Sequence, residues 1–134
     1  VIEVIGYVTE AGVSPFQKWL HSLDGTSHGR VLTATYRLAE GNFSSVKGVG
    51  SGVYELRMDF GAGYRVYFGK VGDKLVLLLG GGTKKRQSND IEAAHAAWID
   101  YKNREKAKND NVTSVQRNSQ RKSSAQRGPS RLSE

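Results

Sequence analysis

The chain has 134 residues, with 20 Lys or Arg against 13 Asp or Glu, a formal net charge of +7, and no cysteine. That length fits one domain with a real core, and the missing cysteine excludes disulfides, thiolate metal ligands and a cysteine nucleophile while suiting a reducing, cytoplasmic compartment. The longest apolar run, Leu75 to Leu79, is far too short to span a membrane, and Val1 to Val8 lacks a basic leader and carries Glu3, so neither a membrane anchor nor a secretory leader is expected.

Val1 to Val8, VIEVIGYV, is rich in β-branched residues and predicts a strand that pairs with a sheet further on. Ser14-Pro15 predicts a helix start, with Ser as N-cap and Pro at the first helical position. Phe16, Trp19, Leu20 and Leu23 then fall on one helical face, and Gly25 ends the element. A second helix is expected from Ser27 to Glu40, with Val31, Leu32, Thr35, Leu38 and Ala39 turned inward and Gly41 as its terminator. The two helices make a hairpin whose apolar stripe covers the sheet, Trp19 contributing most. Asn42 to Gly52, NFSSVKGVGSG, reads as a Gly- and Ser-rich loop carrying Lys47.

Tyr54 to Phe60 alternates Tyr54, Leu56, Met58 and Phe60 with Glu55, Arg57 and Asp59, the period of a strand with one buried face. A Gly61-Ala62-Gly63 turn leads to a second strand with Tyr64, Val66 and Phe68 on one side and Arg65 and Tyr67 on the other. After Gly72-Asp73 the continuous apolar run Leu75 to Leu79 predicts a strand covered on both sides. A three-residue loop centred on Ala62 would set Phe60 opposite Tyr64, Asp59 opposite Arg65 and Arg57 opposite Tyr67, leaving Arg57 diagonal to Arg65 on one face. Gly80 to Gly82 would let the backbone turn toward a helix and approach a ligand closely.

Asn89-Asp90-Ile91-Glu92 has the form of a capping box, and Ile91, Ala94, His95 and Trp98 continue a helix to about Arg104. From Lys106 the composition shifts to Asn, Ser, Gln, Lys and Arg, too polar to offset its ordering entropy. The expected organisation is therefore a domain over residues 1–105 and a basic, disordered tail over 106–134. Its class is α+β: an N-terminal helical hairpin on a twisted antiparallel sheet of about four strands, with a C-terminal helix.

The charge is unevenly placed. From Lys106 onward 7 basic residues stand against 2 acidic, leaving only +2 for residues 1–105, yet Lys47 to Arg86 alone holds 8 basic and 3 acidic residues. The sheet region is thus the basic part of the domain, and its natural partner is a polyanion. Arg57, Arg65, Lys84, Lys85 and Arg86 permit one chemistry in particular. Cutting RNA needs only the ribose 2′-hydroxyl as nucleophile, a group to take its proton, cations to hold charge on the pentacoordinate phosphorus, and an acid for the leaving oxygen. Arginine suits the third task through its planar, permanently charged fork. A lysine crowded by other cations can shift its pKa toward neutrality and serve the proton transfers. The plainer reading pairs Asp59 with Arg65 and Glu55 with Arg57 as ion pairs on a solvated face. Gly80-Gly81-Gly82-Thr83-Lys84 lacks the spacing of a phosphate loop, and His21, His28 and His95 lack metal-ligand spacing, so no cofactor or metal is expected.

The succession VYELRMDFGAGYRVYF, LVLLLGGGTKKRQSNDI and the earlier GNF…VKGVGSGV resembles the addiction-module killer branch of the RelE/ParE toxin superfamily, close to HigB-like and phage Gp49-like proteins. The likeness runs over roughly residues 2–104, and GYRVYF and GG-x-K-x-x-Q-x-x-D-I are its most specific motifs. It implies a RelE-like fold, a ribosome-dependent mRNA endonuclease activity, and a cognate antitoxin expected to be an acidic helix-turn-helix protein. It also implies that Arg65 is the arginine contacting the scissile phosphate, that Arg57 stands where a catalytic lysine lies, and that Lys84 or Lys85 supplies the basic residue after the last strand. Lys47, Arg86, Tyr64, Tyr67 and Gln87 complete the expected RNA contacts. Two positions depart from the pattern, Glu55 for a lysine and Ile91 for a tyrosine, which leaves the general acid and base among Lys47, Lys84 and Lys85. Arg65→Ala should then abolish activity with the fold intact. A ParE-like gyrase inhibitor without a nuclease site and a non-catalytic RNA-binding module, with Tyr64 and Tyr67 stacking on bases, are the alternatives.

Overall fold

The computed structural model describes residues 2–125, and the side chains of residues 2–110. Its elements are β1 (Glu3–Gly6), α1 (Pro15–His21), α2 (Gly25–Ala39), β2 (Val46–Gly48), β3 (Val53–Arg57), β4 (Tyr64–Val71), β5 (Leu75–Thr83), a 3-10 turn (Lys84–Arg86) and α3 (Gln87–Ala125). The class is α+β, with a five-stranded mixed sheet ordered β1-β5-β4-β3-β2. The chain divides into two units, Val1–Ile99 and Asp100–Glu134. No helix among the described residues is long and apolar enough to cross a membrane.

Ser14 caps α1 as its sequence predicts, its hydroxyl accepting from the Gln17 N–H at 3.2 Å. The helix ends at Ser22 rather than Gly25, because the Asp24 carboxylate accepts from the Ser27 N–H and starts α2 two residues before Ser27. Gly41, at φ 83°, terminates α2 in the left-handed region, its N–H donating to the Leu38 carbonyl. Phe16 and Leu20 from α1, Val31 and Leu38 from α2, and Leu56, Met58, Val66, Phe68, Val76 and Leu78 from the sheet form the main core. Each such side chain contributes roughly 1.5 to 3 kcal/mol. Trp19 packs at the core margin and Leu32 faces outward, 44% exposed, so neither fills the place its spacing suggests.

Three features of the sheet depart from expectation. β1 pairs in parallel with β5, Glu3 to Leu75 through Gly6 to Leu78, so the sheet is mixed rather than antiparallel. The fifth strand, β2, lies in the stretch read as a loop and pairs Lys47 with Glu55. The β3–β4 register places Arg57 opposite Arg65 and Glu55 opposite Tyr67, because a six-residue connection over 58–63 replaces the expected three-residue turn. The shift is by two, so each side chain keeps its expected face. β5 continues through the glycines to Thr83, with Leu79 as the extra residue where the ladder slips between Tyr67 and Phe68.

Gly81 and Gly82 are close-approach positions for protein side chains: a methyl group on Gly81 would overlap the Trp19 ring of α1, and one on Gly82 the Asp90 carboxylate of α3. Trp98 likewise stands on Gly69. The start of α3 therefore lies on the sheet face opposite α1 and α2. Helical structure begins at Lys84 and α3 at Gln87, so the Asn89 box falls inside the helix. The helix continues to Ala125 through much of the stretch read as a disordered tail: residues 106–125 contain no Pro or Gly to stop it. The remainder of that expectation, 126–134, lies outside the described residues.

Candidate functional site

Arg65 projects from β4 onto the face shared with α3, where it is 3% exposed. Its Nε lies 3.8 Å from Glu55 Oε1, and its Nη1 donates to the carbonyls of Gly63 at 3.1 Å and Tyr64 at 3.2 Å. Glu55 is fully buried, and its other oxygen accepts from Gln87 Nε2 at 2.6 Å. Lys47, half-exposed on edge strand β2, approaches Glu55 Oε1 at 3.9 Å. One carboxylate thus ties β2, β4 and the first residue of α3 together. The ion-pair expectation is corrected accordingly: Glu55 pairs with Arg65 and Lys47, while Asp59, across from neither arginine, is exposed.

Glu55 Oε1, Arg65 Nε, Tyr67 Oη and Asp90 Oδ2 are buried without a hydrogen bond. Burial, and then the nearby Glu55 and Asp90 charges, push the Tyr67 hydroxyl above its ordinary range. Burial also raises the Asp90 carboxyl, with Arg86 opposing it. These groups mark a low-dielectric pocket of polar chemistry beneath α3, where an isolated charge is costly and a paired one is held firmly.

Arg65, though buried, is one of the residues lining a depression of about 630 Å³ at the hairpin end of the sheet, with Arg57, Asp59, Phe60, Gly61, Ala62, Gly63 and Lys84. The convergence has a backbone cause. Arg65 pairs with Arg57 on one side and Gly82 on the other, and the Lys84 N–H donates to the Gly63 carbonyl at 2.8 Å, fixing Lys84 beside the loop. Arg57 and Lys84 are exposed, and Asp59 is the one carboxylate in the lining.

The other expected site residues fall elsewhere. Lys85 and Arg86 are exposed on the 3-10 turn and do not line the depression. Tyr67 is fully buried and cannot stack on a base. Tyr64 lies on the opposite face, packed against Trp19 and Phe60 with ring centroids 6.1 and 5.1 Å away. Gln87 is occupied by Glu55 Oε2, and Lys47 approaches the same Glu55 oxygen as Arg65 and does not line the depression. His95 Nε2 donates to the Val49 carbonyl, 3.0 Å away, as a core-edge residue. Among the described residues no group of three His, Asp or Glu is placed to hold a metal ion. The sequence reading missed Glu55 as the hub; its signal was a carboxylate in the middle of the strand, on the same face as Arg57 and opposite the apolar set.

No family model matches the chain. It is 41% identical over 80 residues to a protein of Haemophilus influenzae described as uncharacterized, an alignment covering 59% of this chain and 81% of that protein. The two chains belong to one family.

Proposed function

We propose that the chain is the toxin of a type II toxin–antitoxin module, a RelE-like member of the RelE/ParE superfamily in its addiction-module killer branch, and that it cuts ribosome-bound mRNA in the cytoplasm. The observation that carries this reading is the meeting of Arg57, Arg65 and Lys84 in one depression at the hairpin end of the sheet. Three cations converging on one depression suit a phosphodiester and the charge it gains during in-line attack. The 2′-oxygen forms its bond to phosphorus, the bond to the 5′-oxygen breaks, and a 2′,3′-cyclic phosphate and a 5′-hydroxyl result. Arg65, held from behind by Glu55, and Arg57 bear the phosphate charge. The Lys84 ammonium gives a proton to the leaving 5′-oxygen, and Asp59, the one carboxylate in the lining, takes the 2′-hydroxyl proton. No cofactor enters. An acidic helix-turn-helix antitoxin is the matching partner for this cationic surface.

Arg65→Ala is a poor probe, since it also strands the buried Glu55 carboxylate. Arg57→Ala and Lys84→Ala remove exposed side chains and test the site cleanly. Mapping mRNA 5′ ends in expressing cells should show new 5′-hydroxyl ends with the native chain, reduced about 10²-fold or more by either substitution. Intact mRNA with broken or gyrase-trapped DNA would replace this reading with the gyrase-inhibitor one.

A further inference from the structure

A second and larger cleft, of about 740 Å³, lies between α2 and the β3 end of the sheet and shares Arg57, Asp59 and Phe60 with the depression described above. Its walls carry Arg30 and Arg37 from α2 and Arg57 from β3, against the single carboxylate Asp59. All three arginines are exposed, and among the described residues none of them is in an ion pair. The Arg30 guanidinium lies over the Phe60 ring, 4.3 Å from its centroid, a cation–π contact. That contact places it beside Phe60, a residue lining both cavities.

Three guanidinium groups facing one cleft with so little opposing charge repel one another, and an anion bound between them removes that cost. The cleft is within the size range of a small-ligand site and larger than one phosphate requires. Arg30 stacked on Phe60 also offers a planar cationic surface of the kind on which unpaired bases stack. Asn42, Ser44 and Ser45 give the opposite wall a polar character, with Asn42 Oδ1 accepting from both the N–H and the hydroxyl of Ser44.

We propose that this cleft is a second nucleotide subsite, which binds the residue of a single-stranded RNA next to the scissile phosphate, its phosphate held by Arg37 and Arg30 and the strand passing over Arg57. The inference deepens the nuclease reading and rests on it for the identity of the strand. It adds Arg30 and Arg37 as binding residues and makes Arg57 the shared wall between two phosphate positions.

The test is binding of a short, fluorescein-labelled single-stranded RNA with 2′-O-methyl groups throughout, which cannot be cut, followed by anisotropy across a salt series. Arg30→Ala and Arg37→Ala should each weaken binding about tenfold at low salt. Each should also lower the slope of log K against log salt by about 0.7, the value for one lost single-strand phosphate contact. Lys18→Ala removes an exposed charge of α1 outside both cavities and should leave affinity and slope unchanged. Thermal melts of the variants establish that each is folded, and Arg30→Lys, which keeps the charge but not the planar fork, should recover the slope without the full affinity. Native affinity and slope in both Arg→Ala variants overturn the subsite, as does an equal loss in Lys18→Ala. If the arginine variants behave as stated but the native chain cuts no mRNA, the subsite stands and the nuclease reading falls. If the native chain cuts while the arginines do not matter for binding, the reverse holds.

Discussion

Glu55→Gln is the most informative single change because it keeps the shape of a buried side chain and removes its charge. At 3.8 Å, the Arg65 to Glu55 attraction is about 4 kcal/mol at an effective dielectric constant near 20. Loss of one partner from a buried pair costs about 3 to 5 kcal/mol, since the other charge is left without compensation. The Gln87 contact survives in weaker, neutral form. Glu55→Gln should therefore destabilise the fold by about 3 to 4 kcal/mol, a large part of the 5 to 15 kcal/mol typical of a domain. Urea unfolding reads this as a midpoint lowered by about 1 to 3 M with an unchanged slope. Should the variant fail to fold, the double variant Glu55→Leu with Arg65→Met removes both charges and is expected to recover stability to near the native value. A loss below about 1 kcal/mol in the single variant, or a double variant no better than the single, would refute the hub role of Glu55.

Two further predictions concern the face beneath α3. Gly69→Ala puts a methyl group into the Trp98 ring and should cost about 1 to 3 kcal/mol, whereas Gly80→Ala has open space and should change stability by less than about 1 kcal/mol; equal melting temperatures for the two would contradict the packing. The raised Asp90 carboxyl makes a signed pH prediction: above the ordinary value of 3.8 the native state holds this proton more tightly than the unfolded chain, so its contribution to stability is lost as pH rises through the native value. Asp90→Asn should flatten that fall, which urea midpoints at acid and neutral pH will show; a slope equal to the native one would mean that Asp90 is not the group responsible.

Local signals carried much of this architecture. Ser14-Pro15 marks the start of α1, and period-two alternation places Arg57 and Arg65 on one face despite a wrong hairpin length, because a register error of two residues preserves facing. The same period separates Tyr64 from Arg65 and Tyr67, so the pairing of both tyrosines on one RNA surface contradicts the pattern itself. Glu55 was assigned to a solvated face because polar alternation reports a second face without reporting what covers it. That cover is α3, brought back by a chain reversal that leaves only glycines at 69 and 82 as local traces. β2 and the parallel β1 pairing are non-local in origin: a three-residue strand such as Val46–Gly48 exists only because β3 supplies its hydrogen bonds.

The cover also bears on which alternative reading survives. An RNA-binding sheet of the stacking type needs an open face with exposed aromatic rings. Here Tyr67 is sealed beneath α3 and Tyr64 packs with Trp19 on the other side, so the basic region offers no aromatic platform on that face. What stays open is the hairpin end, where the exposed cations Arg57 and Lys84 flank a buried guanidinium whose Nε lies beside Glu55 and whose Nη1 donates to the Gly63 and Tyr64 carbonyls. A guanidinium immobilised before its ligand arrives loses little freedom on binding and responds to charge without rearranging, which favours a charge-bearing transition state over a ground-state strand.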